Sequence, residues 1–172
     1  MIPLPRITFV VDQFAVPSPG QQLLDRFLIG YHSDGAFRVP GCEVAFAGPN
    51  TPAIEARVRD HGLRADGDPR SARAIVIAAS EPRVLETLAL LPAGARCFIY
   101  GLLSPEARGL ADQQGVQVLS ATAASAALRL PEVEIRGEQL RKCVIIAHGP
   151  LAVLDGLEAL RSVAGGRLTS LR

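Results

Sequence analysis

The sequence contains few of the residues on which nucleic-acid-binding and membrane proteins depend. Its 172 residues include no tryptophan, aromatic residues make up only 5%, and 18 Lys and Arg face 17 Asp and Glu. A balanced charge gives no electrostatic attraction for nucleic acid or for an anionic membrane, and so few aromatics leave no platform for base stacking. No apolar run approaches the length of a membrane span. We therefore expect neither nucleic acid nor a membrane as a partner.

Cysteine is also scarce. Cys42, Cys97 and Cys143 are an odd, widely spaced set without a C-x-x-C pair, which is typical of small buried hydrophobes in a reducing compartment. The N-terminus reads MIPLPRITFVVDQF and lacks the basic start and long apolar core of a signal peptide. We expect a cytoplasmic protein that forms one domain over residues 1–172, a length sufficient for one well-buried core.

The most informative stretch is Ala74–Ser80, which reads AIVIAAS. It has no polar face, so it must be covered on both sides, as are strands in the middle of a parallel sheet. Ser80 is a favourable N-cap, and Pro82 suits the first turn of a helix over Glu81–Leu91. In open α/β sheets, ligands bind where a strand ends and the next helix begins.

Strands and helices alternate along the rest of the chain. Further strands are predicted at Arg6–Val11, Cys42–Ala47, Ala95–Tyr100, Val116–Leu119 and Lys142–Ala147. Helices are predicted at Gln21–Tyr31, after the caps Thr51 and Ser104 and up to the stops Gly62 and Gly115, at Ala121–Leu130 and at Leu151–Val163, with His32–Gly41 as a surface connection. This order favours parallel strands joined by right-handed crossovers. The predicted fold is α/β: a Rossmann-like doubly wound, mainly parallel sheet of about six strands with helices on both faces.

Polar residues just past the strand ends are the candidates for ligand binding. They are Asp12, Gln13, Asn50, Ser80, Glu81 and Ser120. Position alone selects them. Asp12 and Asn50 can equally form local turns, and Ser80 and Ser120 can simply cap helices.

The signatures of common cofactors are missing. A dinucleotide site needs a glycine-rich loop directly after the first strand, where this chain reads DQFAVPSPGQQ, and an acid after the second, where it reads AGPN. The three histidines, His32, His61 and His148, have no metal-binding spacing. We expect no cofactor and no metal, with NAD(P) binding as the alternative.

Three stretches, in order, resemble one enzyme family. They are ARAIVIAASEPRVLETLALLPAGARCFIYGLLS, VQVLSATAASAALRLPEVEI and GPLAVLDGLEALRSVAGG. The first is similar to the third strand, helix and fourth strand of the Gfo/Idh/MocA oxidoreductases, the second to their fifth strand, and the third to the helix that carries their catalytic histidine. The resemblance implies the N-terminal, Rossmann-like half of an NAD(P)-dependent sugar or inositol dehydrogenase.

The family's functional positions are not kept. Its Glu-Lys-Pro motif falls on Tyr100-Gly101-Leu102, its Thr-Pro pair on Ala79-Ser80, and its catalytic histidine on Glu158. We also expect its second, substrate-binding domain to be absent. If the chain were an enzyme, the resemblance and the strand ends would leave Tyr100, Glu158 or His148 for proton transfer.

The sequence therefore favours a non-catalytic accessory or assembly subunit related to these dehydrogenases. It would form a homo-oligomer or a hetero-oligomer, for example with a catalytic dehydrogenase-like subunit. A mean hydropathy of +0.24 agrees with a partner-covered apolar surface, although a sheet buried on both faces also raises hydropathy. The alternatives are an NAD(P)-dependent oxidoreductase acting on a sugar or polyol with its pocket completed by a partner chain, and a small-ligand-binding module.

Overall fold

The structure, a computed structural model, describes residues 4–16, 18–33 and 36–121, which belong to one compact unit. The strands are β1 (Arg6–Val10), β2 (Tyr31–Ser33), β3 (Ala36–Arg38), β4 (Glu43–Ala47), β5 (Ala74–Ile77), β6 (Arg96–Tyr100) and β7 (Gln117–Ala121). The helices are α1 (Pro19–Leu28), α2 (Pro52–His61), α3 (Glu81–Leu90) and α4 (Pro105–Gln114), and a 3₁₀ turn covers Pro69–Ser71.

Five of the strands form one parallel sheet in the order β4-β1-β5-β6-β7. The chain first moves from β1 to β4, then passes back beyond β1 to β5, β6 and β7, so the ends of β1 and β5 lie beside each other. The predicted α/β fold with a mainly parallel sheet is confirmed. The predicted sixth strand at Lys142–Ala147, the helices over 121–130 and 151–163, and the single domain over 1–172 reach outside the described residues and stay predictions.

One face of the sheet carries the core. Its strand residues pack against α3 and α4, and the cluster includes Val10, Ile75, Ile77, Cys97, Ile99, Val84, Leu88, Ala107 and Ala111. Phe9 precedes Val10 and so points to the opposite face, where its ring lies 5.4 Å from the ring of Phe27 in α1. The unbroken apolar pattern of β5 agrees with this interior position, since Ile75, Val76 and Ile77 are all buried.

Cys97 is one of the buried residues of this core. Burial raises the pKa of its thiol to about 12, so the thiol is protonated and unreactive at neutral pH. Cys42 is half-buried, and burial raises the pKa of its thiol as well. Cys143 lies outside the described residues. The interpretation of the cysteines as small hydrophobes is therefore confirmed for Cys97.

The helix ends follow the predicted chemistry. The side chains of Thr51 and Ser104 each accept a hydrogen bond from the backbone N–H three residues on. Gly62 and Gly115 end their helices with φ of 71° and 65°, where a side chain would be strained.

The region after α1 differs from the prediction. Tyr31 does not continue the helix, and His32–Gly41 is not only a connection, because β2 and β3 form an antiparallel hairpin there. Gly30, with φ of 124°, breaks the helical geometry. The sequence carries a signal for the hairpin in Asp34-Gly35, a pair typical of two-residue turns.

Between α2 and β5 the chain runs along the outer edge of β4. The Phe46 N–H donates to the Arg64 carbonyl at 2.7 Å, and the Arg64 N–H donates to the Val44 carbonyl at 3.0 Å. Gly67 then donates to the Phe46 carbonyl at 3.0 Å. These bonds pair backbone groups that an open sheet edge would leave free.

Candidate functional site

The parallel sheet brings Asp12 and Ser80 together at the carboxyl ends of β1 and β5. The Ser80 N–H donates to Asp12 Oδ2 at 2.7 Å across 68 positions of sequence. Hydrogen bonds from the side chain and the backbone of Ser80 hold the pKa of Asp12 below its usual value of 3.8. Asp12 is therefore a carboxylate at neutral pH.

Ser80 occupies the N-cap position of α3 as predicted, but its side chain does not cap that helix. Its backbone is extended, with φ of −63° and ψ of 157°, and it makes no side-chain capping hydrogen bond. The hydroxyl interacts with Asp12 instead. A hydroxyl donates to an ionised carboxylate in a charge-assisted hydrogen bond, whereas an N-cap hydroxyl accepts from a backbone N–H.

The first turn of α1 lies next to this pair. Pro19 has no N–H, the Gln21 N–H donates to Ser18 Oγ at 3.1 Å, and the Gln22 N–H donates to the Ser18 carbonyl at 3.0 Å. Of the four residues that open the helix, only Gly20 keeps an N–H without a partner among the residues the structure describes. A helix N-terminus binds an anion through such free N–H groups, so little of that capacity is left here.

Among the described residues, no side-chain hydrogen bond joins Gln13, Asn50, Glu81 or Ser120 to Asp12 or Ser80. The Asn50 side-chain amide donates to Glu55 Oε1 at 3.0 Å, which closes a local contact at the start of α2. Gln13 and Glu81 are exposed, and Ser120 is half-buried within β7.

Tyr100 is the last residue of β6, followed by Gly101 with φ of 117°. His148 and Glu158 lie outside the described residues.

A cleft of about 730 Å³ opens beside Asp12, and five polar residues that are not among the predicted candidates line it: Asp68, Arg70, Arg83, Glu86 and Thr87. They come from the 3₁₀ turn and the residue before it, and from the body of α3, not from the strand ends. The spacing of three and four residues from Arg83 to Glu86 and Thr87 was the signal available in the sequence, because it places these side chains on one face of α3. Arg83 pairs with Glu86 at 2.7 Å, and Arg70 lies 3.8 Å from Asp68. Arg83 thus has an acid of this chain as its partner, and Arg70 lies near another.

No cluster of three or more metal-ligating side chains occurs within residues 4–16, 18–33 and 36–121. In the same part of the chain, every helix is too short or too polar to cross a bilayer.

Searches against protein-family models, curated proteins and solved structures found no match to this chain. The resemblance to the Gfo/Idh/MocA oxidoreductases therefore remains a prediction from the sequence.

Proposed function

We propose that this chain is a non-catalytic Rossmann-like subunit that acts in an assembly and is related to the Gfo/Idh/MocA dehydrogenases. Its own Asp12 carboxylate lies at the crevice where such enzymes hold a dinucleotide. The finer architecture, a doubly wound sheet of about six strands with helices on both faces, belongs to the same proposal.

The observation that carries the proposal is the ionised Asp12, which accepts a hydrogen bond from the backbone N–H of Ser80, the N-cap residue of α3. A pyrophosphate at this crevice would have to displace the carboxylate from Ser80 and overcome its negative charge. The neighbouring first turn of α1 offers little in exchange, because Ser18 and Pro19 account for three of its four leading positions. Phosphate binding at helix N-termini needs the opposite arrangement, with several free N–H groups and no anion nearby.

The end of β4 gives independent support. A dinucleotide site places an acid there to hold the ribose hydroxyls. A Cβ atom built on Gly48 would lie 2.7 Å from the Phe46 ring and 2.8 Å from the Val11 carbonyl oxygen, so this position is closed to any larger residue. The next polar residue, Asn50, is engaged with Glu55. The ribose-binding acid therefore has no equivalent in this loop.

The proposed interface includes the hairpin surface, which we define as Ile29, Phe37 and Val39. These residues are 39%, 53% and 64% exposed. A two-stranded hairpin is marginally stable by itself, and exposed apolar side chains on one are typical of a surface that another chain covers. The partner would be a second copy or a dehydrogenase-like subunit.

Titration with NADH and NADPH tests the loss of cofactor binding. The protein lacks tryptophan, so the fluorescence of the reduced nicotinamide can be followed without interference from indole emission. We expect no saturable change with either nucleotide up to about 1 mM, a limit that corresponds to a binding free energy weaker than about −4 kcal/mol. A dehydrogenase with an intact glycine-rich loop is the positive control. Saturable enhancement with this chain would contradict the proposal.

A further inference from the structure

A second cleft lies at the other end of the sheet, where the strands begin. It has a volume of about 720 Å³ and is lined by three arginines, Arg6, Arg73 and Arg96, and by one acid, Asp68. It shares Gly67 and Asp68 with the cleft beside Asp12, but Asp12 itself does not line it. The excess of cationic side chains favours an anionic ligand.

Two of the three arginines are available for such a ligand. Arg6 pairs with Glu43 at 3.2 Å, and Asp68 accepts a backbone N–H from the 3₁₀ turn at 3.0 Å. Arg73 and Arg96 are exposed, and their guanidinium groups have no partner among the described residues. Their backbones are joined, since the Arg96 N–H donates to the Arg73 carbonyl at 2.8 Å. Two free guanidinium groups therefore start from adjacent strand ends.

The side of the cleft formed by the sheet contains a buried hydroxyl group. Thr8 lines the cleft, is only 2% exposed, and has a hydroxyl without a partner in the described part of the chain. An equally buried threonine, Thr87, is satisfied, because its hydroxyl donates to the Arg83 carbonyl at 2.7 Å. Buried hydroxyls are normally hydrogen-bonded, and leaving one unpaired is unfavourable. The Thr8 hydroxyl thus points to a polar group that enters from outside.

We infer that this cleft binds a small organic phosphate whose body carries hydroxyl groups. The phosphate pairs with Arg73 and Arg96, since guanidinium groups match phosphate geometry with paired hydrogen bonds. A hydroxyl of the ligand body meets Thr8. The volume lies within the usual range for small-molecule sites. This inference does not depend on the proposed function, because Thr8, Arg73 and Arg96 do not line the cleft beside Asp12.

Thermal unfolding with three probes tests the inference: glucose 6-phosphate, inorganic phosphate and glucose. We expect glucose 6-phosphate at about 10 mM to raise the Tm by about 2–5 °C, which corresponds to a Kd near 1 mM. Inorganic phosphate should raise the Tm less, because it cannot reach Thr8, and glucose should leave it unchanged. Sodium chloride is used to match ionic strength in every sample.

Two variants test the contributions of the two arginines and of Thr8 separately. The double variant Arg73→Gln with Arg96→Gln should lose the Tm increase with both phosphates. Thr8→Val, which keeps the side-chain shape, should keep the response to inorganic phosphate and lose the additional response to glucose 6-phosphate. The controls Arg108→Gln and Thr87→Val change the same residue types away from the cleft and should respond as the unmodified protein does.

The inference is wrong if the unmodified protein shows no Tm increase with glucose 6-phosphate, or if the double arginine variant keeps the full increase. It is equally wrong if Thr8→Val responds to glucose 6-phosphate as the unmodified protein does. Circular dichroism establishes that each variant folds. Thr8→Val alone decides the test if the double variant does not fold.

Discussion

The carboxylate of Asp12 accepts from the N-cap amide of α3, that of Ser80, in the way that a bound anion would. The two residues belong to neighbouring strands, and their hydrogen bond of 2.7 Å joins the ends of β1 and β5. This carboxylate supplies the acceptor that a bound anion would otherwise provide for the Ser80 N–H. It also makes the crevice unfavourable for a second negative charge.

Substituting Asp12→Asn tests this residue directly. The folded-state pKa of Asp12 is lowered, so its contribution to stability is present above the unfolded value near 3.8 and is lost as the pH falls through the lower folded value. Asp12 is largely exposed, and solvent screening limits the contribution to about 0.5 kcal/mol. We expect Asp12→Asn to be less stable than the unmodified protein by this amount at pH 7 in urea unfolding, with the difference shrinking towards zero at pH 2.

Asp112→Asn is the matched control. Asp112 is exposed on α4 and makes no side-chain hydrogen bond or ion pair within the described residues. Its substitution should change the free energy of unfolding by no more than a few tenths of a kcal/mol. A stability difference for Asp12→Asn that is absent at pH 7, or that persists unchanged at pH 2, would show that the carboxylate does not hold Ser80.

At the scale of the elements, the main strands and helices were predictable because their residues carry strong local signals. The apolar run of β5, the caps Thr51 and Ser104, and the stops Gly62 and Gly115 all act within a few residues of sequence. Predicted and observed bounds therefore agree within a few residues for most elements. The hairpin was missed because strands of three residues are too short to show a period.

Contacts between elements were not predictable from local patterns. Arg57 of α2 makes two hydrogen bonds of 2.6 Å to Asp25 of α1, and its guanidinium lies 5.0 Å from the Phe14 ring centroid. The pair of Asp12 and Ser80 is similar: position marked each residue as a candidate, but their contact depends on the strand order. Single-residue propensities contain no information about which elements become neighbours.

The segment along β4 gives a prediction at this scale. A Cβ atom built on Gly67 would lie 2.7 Å from the Phe46 carbonyl carbon and 2.8 Å from its oxygen, so Gly67→Ala must push two backbones apart. We expect this variant to lose about 2 kcal/mol of the free energy of unfolding, measured in urea.

Gly109→Ala is its counterpart within α4. A Cβ atom there meets nothing within 4 Å, so the alanine should stabilise the protein by about 1 kcal/mol through helix propensity. Equal stability of Gly67→Ala and the unmodified protein would mean that the segment does not lie against β4.

At the scale of the whole molecule, the candidate phosphate site does not lie at the end of the sheet where this topology usually binds ligands. The parallel sheet has the topology in which α/β proteins bind ligands at the carboxyl ends of strands, yet at that end Asp12 of this chain already accepts from the backbone N–H of Ser80. Arg73, Arg96 and the Thr8 hydroxyl, which have no side-chain partner within the described residues, lie at the opposite end. The hairpin surface adds exposed apolar residues that another chain can cover. This distribution is the basis of our proposal that the chain acts in binding and assembly.

Light scattering coupled to size-exclusion chromatography tests this account most directly. The unmodified chain has a mass of 18.2 kDa. The account predicts a larger particle, formed by copies of the chain or with a co-purifying protein. Phe37→Asp should shift this particle towards the monomer, because it places a charge in the hairpin surface. Leu102→Asp, at a residue 74% exposed outside that surface, should leave the particle intact. A monomer of unmodified protein without a co-purifying protein would contradict the account.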